Sequence, residues 1–380
     1  MERKKIIFYS GNLAKGGAER VIINLATALL AKGHEVVLAT SVRLKEEYPV
    51  PAGARRLVIY EKAEEASGNR IRNFVKRYIR QRRIWKEEKP DIIVSFIGKN
   101  NAMALLTTLG MKIPVLVSVR GEPSQEYYNR PLKLCARYLF PRAKGVILQT
   151  EDSKAFFCAK VLKKAVVLPN PLNPIFVEEE TRTADGDNSK KEALAGAKGL
   201  KKKITMVGRV DANKNHRLVI DAFRRLAAQF PDYVLEIWGK GEEREVLLDY
   251  VEKAGLADRI FLPGTTEEVK ERLKASSLYI LSSNTEGMPN SLMEAMAMGL
   301  PVISTDCPCG GPKMLISHGV NGLLVPVGDG EAMMTAMKQL MENEELAKRL
   351  GEKALEIRET LNPVRVNRQW EEYILSHCRG

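Results

Sequence analysis

Apolar and polar positions follow one another along this chain in a repeating order: a short apolar run, then a longer stretch with helical spacing. Residues 5–9 (KIIFY) are apolar and run into Gly11 and then Gly16-Gly17. Over 18–31, Val21, Leu25, Ala28 and Leu29 share one helical face, Gly33 ends the helix, and HEVVLAT starts the next apolar run. Two apolar runs separated by a stretch of period 3.6 predict a strand–loop–helix–strand unit with parallel strands. DIIVSF (91–96), PVLVSV (114–119), GVILQT (145–150) and AVVLPN (165–170) read as further strands. Several are continuously apolar, as expected when helices cover both faces of a sheet.

The rhythm breaks over 178–203, a polar and charged stretch that predicts a linker or long surface loop. A second series then reads as strands at KITMVG (203–208), YVLEIWG (233–239), RIFLPG (259–264), LYILSS (278–283), PVISTD (301–306) and GLLVP (322–326). Helices are expected around 214–229, 241–254, 266–275, 290–298, 329–342 and 344–359. The fold class is therefore α/β, with two doubly wound Rossmann-like domains at 1–172 and 173–362.

Charge separates the two halves. The 380-residue chain carries a net +13, yet residues 1–170 hold 32 Lys/Arg against 15 Asp/Glu, while the remainder is slightly acidic. A basic half suits nucleic acid, an anionic membrane or a phosphorylated substrate. Nucleic acid is set aside, because there is no zinc-finger spacing, no RNP-like motif and no basic zipper, and aromatics are only 6%. No stretch approaches the roughly 18–20 apolar residues of a spanning helix. Ile6–Tyr9 is too short for the core of a signal peptide, so a cytoplasmic protein is expected. The five cysteines, Cys135, Cys158, Cys307, Cys309 and Cys378, are scattered and read as reduced thiols without metal spacing.

Three segments carry candidate chemistry at expected strand C-terminal ends. Gly16-Gly17 precede a helix, where backbone N–H groups and the helix dipole suit a phosphate; a plain structural turn reads equally well. Gly208-Arg209 and Lys214 follow KITMVG, and two cations converging there would neutralise a leaving diphosphate; the alternative is a solvated basic loop. After LYILSS come Glu286, the loop Met288-Pro289-Asn290-Ser291, and Glu294. Carboxylates at 286 and 294 can both face one cleft and accept from vicinal sugar hydroxyls. Against this, Ser291-x-x-Glu294 is also a capping box. Asp185-Gly-Asp187 matches a metal–nucleotide DxD motif but sits in the polar linker, so no metal or other cofactor is expected.

These segments resemble glycosyltransferase family 4, the retaining GT-B enzymes, over nearly the whole chain. The carriers are GGAER, GRVDANKN, Glu286-x7-Glu294 within SNTEGMPNSLMEAMAMGLPVISTDC, and NGLLVP. The resemblance implies a cleft between two domains. It also implies that Glu294 holds the nucleotide ribose, Glu286 the donor sugar, and Arg209 and Lys214 the diphosphate. Met288, Pro289, Asn290 and Ser291 would line the sugar–phosphate loop beside Gly208, and Gly16 and Gly17 would close on the diphosphate. The last helix, around 363–377, would return to the N-terminal domain and join residues 363–380 to it. VSVRGEPSQEYY, ILQTEDSKAFF and LPNPLN look like members that extend polyprenyl-diphosphate-linked glycans with N-acetylhexosamine or hexose. The implied partners are a UDP-sugar and a lipid-linked glycan acceptor. Many members carry a His in the acceptor-side loop; here it reads Val119-Arg120-Gly121-Glu122. Arg120 and Glu122 are then the acceptor-side candidates, and the donor phosphate itself can take the acceptor's proton.

Residues 70–86 (RIRNFVKRYIRQRRIWK) predict a helix whose Ile71, Phe74, Val75, Tyr78 and Ile79 form one apolar face. Arg72, Lys76, Arg80 and Arg83 fall on another arc. That arc is either a solvated outer face or a stripe for anionic lipid head groups or the acceptor's pyrophosphate. The stripe reading predicts a peripheral protein at the inner face of the cell membrane. Two rivals to the transferase stay open: a sugar-nucleotide epimerase or hydrolase of the same fold, and a non-catalytic membrane-associated binding protein.

Overall fold

The computed structural model describes residues 2–60, 70–177 and 202–379. The chain divides into two compact units, Met1–Pro171 with Pro363–Gly380, and Leu172–Asn362. The Asp185-Gly-Asp187 segment lies outside the described residues. Of the expected linker, Lys202 and Lys203 already belong to a strand.

The first unit is built on a seven-stranded parallel sheet of β1 (Lys5–Ser10), β2 (Glu35–Thr40), β3 (Arg55–Val58), β4 (Ile92–Phe96), β5 (Val115–Ser118), β6 (Gly145–Leu148) and β7 (Ala165–Val167). The order is β3-β2-β1-β4-β5-β6-β7, so the strand order reverses between the parallel neighbours β1 and β4. Phe8 of β1 lies opposite Leu38 and Val94. One face packs on α1 (Gly17–Ala31) and the last helix, Pro363–Leu375, which buries Trp370 and Ile374 with Phe8 and Phe96. The other is covered by α2 (Arg70–Glu88), α3 (Gly98–Thr107), α4 (Pro123–Glu126) and α5 (Arg130–Tyr138). β3 and α3 escape the apolar pattern, because β3 opens on Arg55-Arg56 and α3 on Lys99-Asn100-Asn101.

The second unit is a six-stranded parallel sheet ordered β10-β9-β8-β11-β12-β13. Its strands are β8 (Lys202–Val207), β9 (Tyr233–Trp238), β10 (Ile260–Gly264), β11 (Leu278–Leu281), β12 (Val302–Thr305) and β13 (Leu323–Val325). Here the order reverses between β8 and β11. The helix expected at 344–359 is two, Glu344–Ala354 and Ile357–Thr360. In open α/β sheets the carboxyl ends of the strands flanking such a reversal form a ligand-binding crevice.

α2 corrects the sequence reading. Its inward residues are Tyr78, Gln81 and Trp85, roughly a quarter-turn from the expected apolar face. Trp85 is fully buried: its ring meets Tyr9 edge-on and its Nε1 donates to Thr107 Oγ1 at 2.9 Å. Arg77 donates to Tyr9 and Asn100, and Arg82 to the carbonyls of Thr107 and Leu109. Long arginine stems pack while their heads find acceptors, so these positions turn inward. Arg80 turns in as well, donating to the Ile59 carbonyl above the Tyr60 ring, and Lys76 is half-buried. The four-residue stripe therefore does not exist as one exposed row. Arg72 and Arg83 are exposed, and so are Ile71, Phe74, Val75 and Ile79.

Candidate functional site

Three loops of the second unit meet at the carboxyl ends of the central strands β8, β11 and β12. The loop after β8 (209–215) and that after β11 (282–286) are joined by hydrogen bonds. Asn284 N donates to Asn213 O (2.7 Å), Asn213 Nδ2 to Thr285 O (3.0 Å), Thr285 Oγ1 to Asn213 Oδ1 (2.8 Å) and Ser282 Oγ to Lys214 O (2.7 Å). The loop after β12 joins them: Glu286 N donates to Pro308 O (2.7 Å) and Cys309 N to Glu286 O (3.1 Å). Glycines permit these approaches. A Cβ on Gly311 would lie 1.5 Å from Gly287 O, and one on Gly239 1.7 Å from Gly208 O. Side chains in this motif thus start from a backbone tied together before any ligand arrives.

On this frame Lys214 Nζ reaches Glu286 Oε1 at 2.5 Å, and Ser283 Oγ donates to the same oxygen at 2.6 Å. Both charged side chains are mostly buried, at 14% and 13% exposure. Glu286 starts its loop and Glu294, 3% exposed, lies within the helix Asn290–Ala297. That helix begins at Asn290 after Pro289, so Ser291 is an interior residue and the Ser291–Glu294 capping box does not form. Met288 is buried and Asn290 and Ser291 are half-buried at the helix head. Arg209 is not gathered with Lys214: its side chain is 76% exposed and pairs with Asp211 at 3.2 Å.

Two neighbours are chemically silent near neutral pH. Burial, with Lys214's charge added, pulls His216 down to about 4, so its imidazole stays neutral. Burial and the Glu286 charge push the Cys307 thiol up to about 12. None of the five cysteines is in a disulfide. The Lys214–Glu286 pair supplies one cation that can transfer to an incoming anion and one carboxylate that is then released to accept from hydroxyl groups.

The first unit gathers a different set at its own strand ends. Gly16 is the N-cap of α1 and carries no side chain to cap it. The loop before it is pinned by Glu47, which accepts from Leu13 N at 3.1 Å and pairs with Arg56. Burial opposes the charge, but these bonds hold the Glu47 carboxyl below its usual range. Arg120 follows β5 beside the stacked rings of Phe96 and Trp370, each 5.6 Å from its guanidinium carbon, and donates to Asn170. Burial pulls Arg120 down to about 10, against the pull of Glu126 and Glu19, so it stays charged near neutrality.

Glu122 acts locally, its carboxylate capping α4 by accepting from Ser124 N. The inward carboxylate is Glu126, which the sequence reading missed. It accepts from Arg120 N (2.6 Å), Gly121 N (2.7 Å) and Gly98 N (3.0 Å), joining the loops after β4 and β5. Burial raises its carboxyl while those three bonds and Arg120 oppose the rise. Glu122-x3-Glu126 on one short helix was the available signal, but spacing alone does not say which carboxylate turns in. Gln149 and Asn170 lie in the segments ILQTEDSKAFF and LPNPLN that carry the finer resemblance, and Trp370 lies in the expected last helix, but none of the three was singled out.

Among the described residues, no group of three or more His, Cys, Asp or Glu is placed to hold a metal ion. Nor is any described helix long and apolar enough to cross a membrane.

Comparison with known proteins places this arrangement. Residues 188–356 match the family model "Glycosyl transferases group 1", and residues 15–175 match "Glycosyltransferase Family 4". An uncharacterized glycosyltransferase of Haemophilus influenzae is 26% identical, over 97% of this chain and 99% of that protein. The Campylobacter jejuni GalNAc-alpha-(1->4)-GalNAc-alpha-(1->3)-diNAcBac-PP-undecaprenol alpha-1,4-N-acetyl-D-galactosaminyltransferase is 25% identical, over 97% and 98%. Among solved structures, Anabaena Alr3699/HepE in complex with UDP and glucose superposes with a TM-score of 0.81 at 18% identity, covering 98% of this chain and all of that one.

Proposed function

Because this chain belongs to the group 1, family 4 glycosyltransferases, retaining enzymes of GT-B fold, we propose that it moves an N-acetylhexosamine or hexose from a UDP-sugar to a polyprenyl-diphosphate-linked glycan. The observation that carries this is the Lys214–Glu286 pair at the head of the helix Asn290–Ala297, with Glu294 buried one turn inside. Residues 172–362 act as the donor unit. Residues 1–171 with 363–380 act as the acceptor unit, working from the cytoplasmic face of the membrane that holds the acceptor. The Campylobacter jejuni relative, named for an undecaprenol-linked acceptor, supports the acceptor class. HepE, solved with UDP and glucose, supports the donor class.

In this reading Glu294 accepts from the ribose hydroxyls. The diphosphate draws Lys214 away from Glu286, and exposed Arg209 swings in as a second cation. Met288, Pro289, Asn290 and Ser291 line the sugar–phosphate loop beside Gly208, and Gly16 and Gly17, at the head of α1 in the acceptor unit, offer a phosphate site. Glu286, released, accepts from the donor sugar. As the sugar–oxygen bond of the donor breaks, negative charge grows on the departing UDP, where Lys214 and Arg209 stabilise it most. The acceptor hydroxyl attacks from the same face of the sugar and passes its proton to the leaving phosphate. Neutral His216 and the protonated Cys307 take no part in that transfer.

The test is a screen of UDP-sugars against a polyprenyl-diphosphate disaccharide, with NMR of the product. Transfer with the anomeric configuration kept is expected. Turnover of the donor without acceptor would instead assign an epimerase or hydrolase.

A further inference from the structure

Glu126 ties two loops of the first unit with a single carboxylate. One oxygen accepts from Arg120 N at 2.6 Å and Gly121 N at 2.7 Å, in the loop after β5, and the other from Gly98 N at 3.0 Å, after β4. Gly98 opens α3, whose N-cap Ile97 brings no side-chain cap, so the carboxylate reaches the first turn from outside the helix. The fit is close: a Cβ on Gly98 would lie 2.8 Å from Glu126 O. Ile97 stands at φ +69°, which a β-branched residue rarely adopts. Its N–H on Ser118 O (3.1 Å) and its carbonyl, accepting from Asn100 N and Asn101 N, hold it there. Strain of this kind persists only where neighbours over-determine it, and it gathers at functional sites.

Arg120 is what the clasp and the strained turn hold in place. Its guanidinium lies half-buried beside Phe96, the residue before Ile97, and beside Trp370. It donates to Asn170, and among the described residues its Nε has no partner. Both loops leave the carboxyl ends of neighbouring strands, beside the reversal of order at β1 and β4, where an open α/β sheet takes its ligand. A guanidinium with an N–H to spare suits an oxygen-rich ligand, hydroxyl or phosphate. We propose that Glu126 is the positioning residue of the acceptor side: it touches no substrate itself, but by holding the N–H groups of Gly98, Arg120 and Gly121 it fixes both loops and aims Arg120 at the acceptor glycan. This rests on the lipid-linked acceptor proposed above and names the residue that shapes its site. The charge matters, because a backbone N–H bonds more strongly to a carboxylate than to an amide oxygen. An amide in its place would also turn an NH2 group toward a backbone donor.

Glu126→Gln tests this in the full-length protein, with a short-chain polyprenyl-diphosphate disaccharide as acceptor. The acceptor KM should rise at least about tenfold, with a smaller change in kcat at saturating acceptor. UDP affinity measured by calorimetry should not move. Arg120→Lys should add little to the KM of Glu126→Gln, because the first change already frees Arg120. Glu126→Ala empties the three N–H groups. Sodium formate, a free carboxylate, should then lower the acceptor KM toward the wild-type value, and sodium chloride at equal ionic strength should not. An unchanged acceptor KM in folded Glu126→Gln overturns the proposal, whatever happens to its melting temperature. So does full additivity with Arg120→Lys, or a parallel fall in UDP affinity. Should Glu126→Ala fail to fold, the KM of Glu126→Gln and its coupling to Arg120→Lys decide. Failure of the acceptor reading shows instead in the wild type. Transfer to a free glycan but to no lipid-linked one corrects the acceptor class, and the Glu126 variants are then read on that glycan. Donor turnover without any acceptor leaves Glu126 nothing to position and overturns both.

Discussion

Both units collect polar groups at the carboxyl ends of their strands, but they hold them in different ways. In the second unit the ties run between neighbouring loops: Asn213 with Thr285, Lys214 with Ser282 and Glu286, Glu286 with Pro308. In the first, Arg120 is held by Phe96, Asn170 and Trp370, the last on a helix at the far end of the chain. A site tied through backbone hydrogen bonds of short loops tolerates little change in its motif. A site assembled from single side chains on separate elements fixes no motif, and so leaves the first unit's set freer to vary.

The sharpest way to break this contrast is Lys214→Met. Charge that matters most as the diphosphate departs is then gone, and kcat should fall at least about a hundredfold with a smaller change in KM. A change in KM alone would make Lys214 a ground-state binder.

Next is Glu294→Gln, which keeps shape and burial but loses a charged acceptor worth about 1.5–3 kcal/mol. UDP affinity measured by calorimetry should drop tenfold to a hundredfold. Unchanged affinity in a folded variant would leave Glu294 a structural residue.

The units should also differ in acid. His216, 2% exposed, has its folded pKa lowered from 6.5 to about 4 by burial. Below 6.5 the unfolded chain binds the proton that the folded one refuses. Stability is therefore fully present above about pH 6.5 and is lost as pH falls toward 4. At pH 5 the loss is about 2 kcal/mol, from about 1.4 kcal/mol per pKa unit. Urea unfolding at pH 7 and pH 5 reads it, and His216→Gln should flatten the slope. His34 in the first unit is also lowered by burial, but Glu371 opposes that shift. A steeper acid loss in the first unit would reverse the comparison.

The smallest effect is expected from Arg120→Lys, which keeps the charge but loses the guanidinium beside Phe96 and Trp370 and its fork to Asn170. The KM for a lipid-linked acceptor should rise about fivefold, roughly 1 kcal/mol, while UDP affinity stays fixed. A parallel fall in UDP affinity would mean that the two polar sets are not independent.

Sequence by itself determined the two series of parallel strands, the glycine loops at their ends, and the compact run from Glu286 to Glu294. Those features are local: a strand's apolar run, a loop's glycines and a helix's first turn act over ten or so residues. Only the tertiary structure decided that Lys214 pairs with Glu286, and that Glu126 rather than Glu122 turns inward. It alone turned Trp85, Arg77 and Arg80 of α2 toward the core. The apolar stripe of α2 predicts a rotation roughly a quarter-turn away, with Tyr78 common to both faces. It loses because Trp85 finds Tyr9 and Thr107, and the arginines find the carbonyls of Ile59, Thr107 and Leu109, partners that only folding brings within reach.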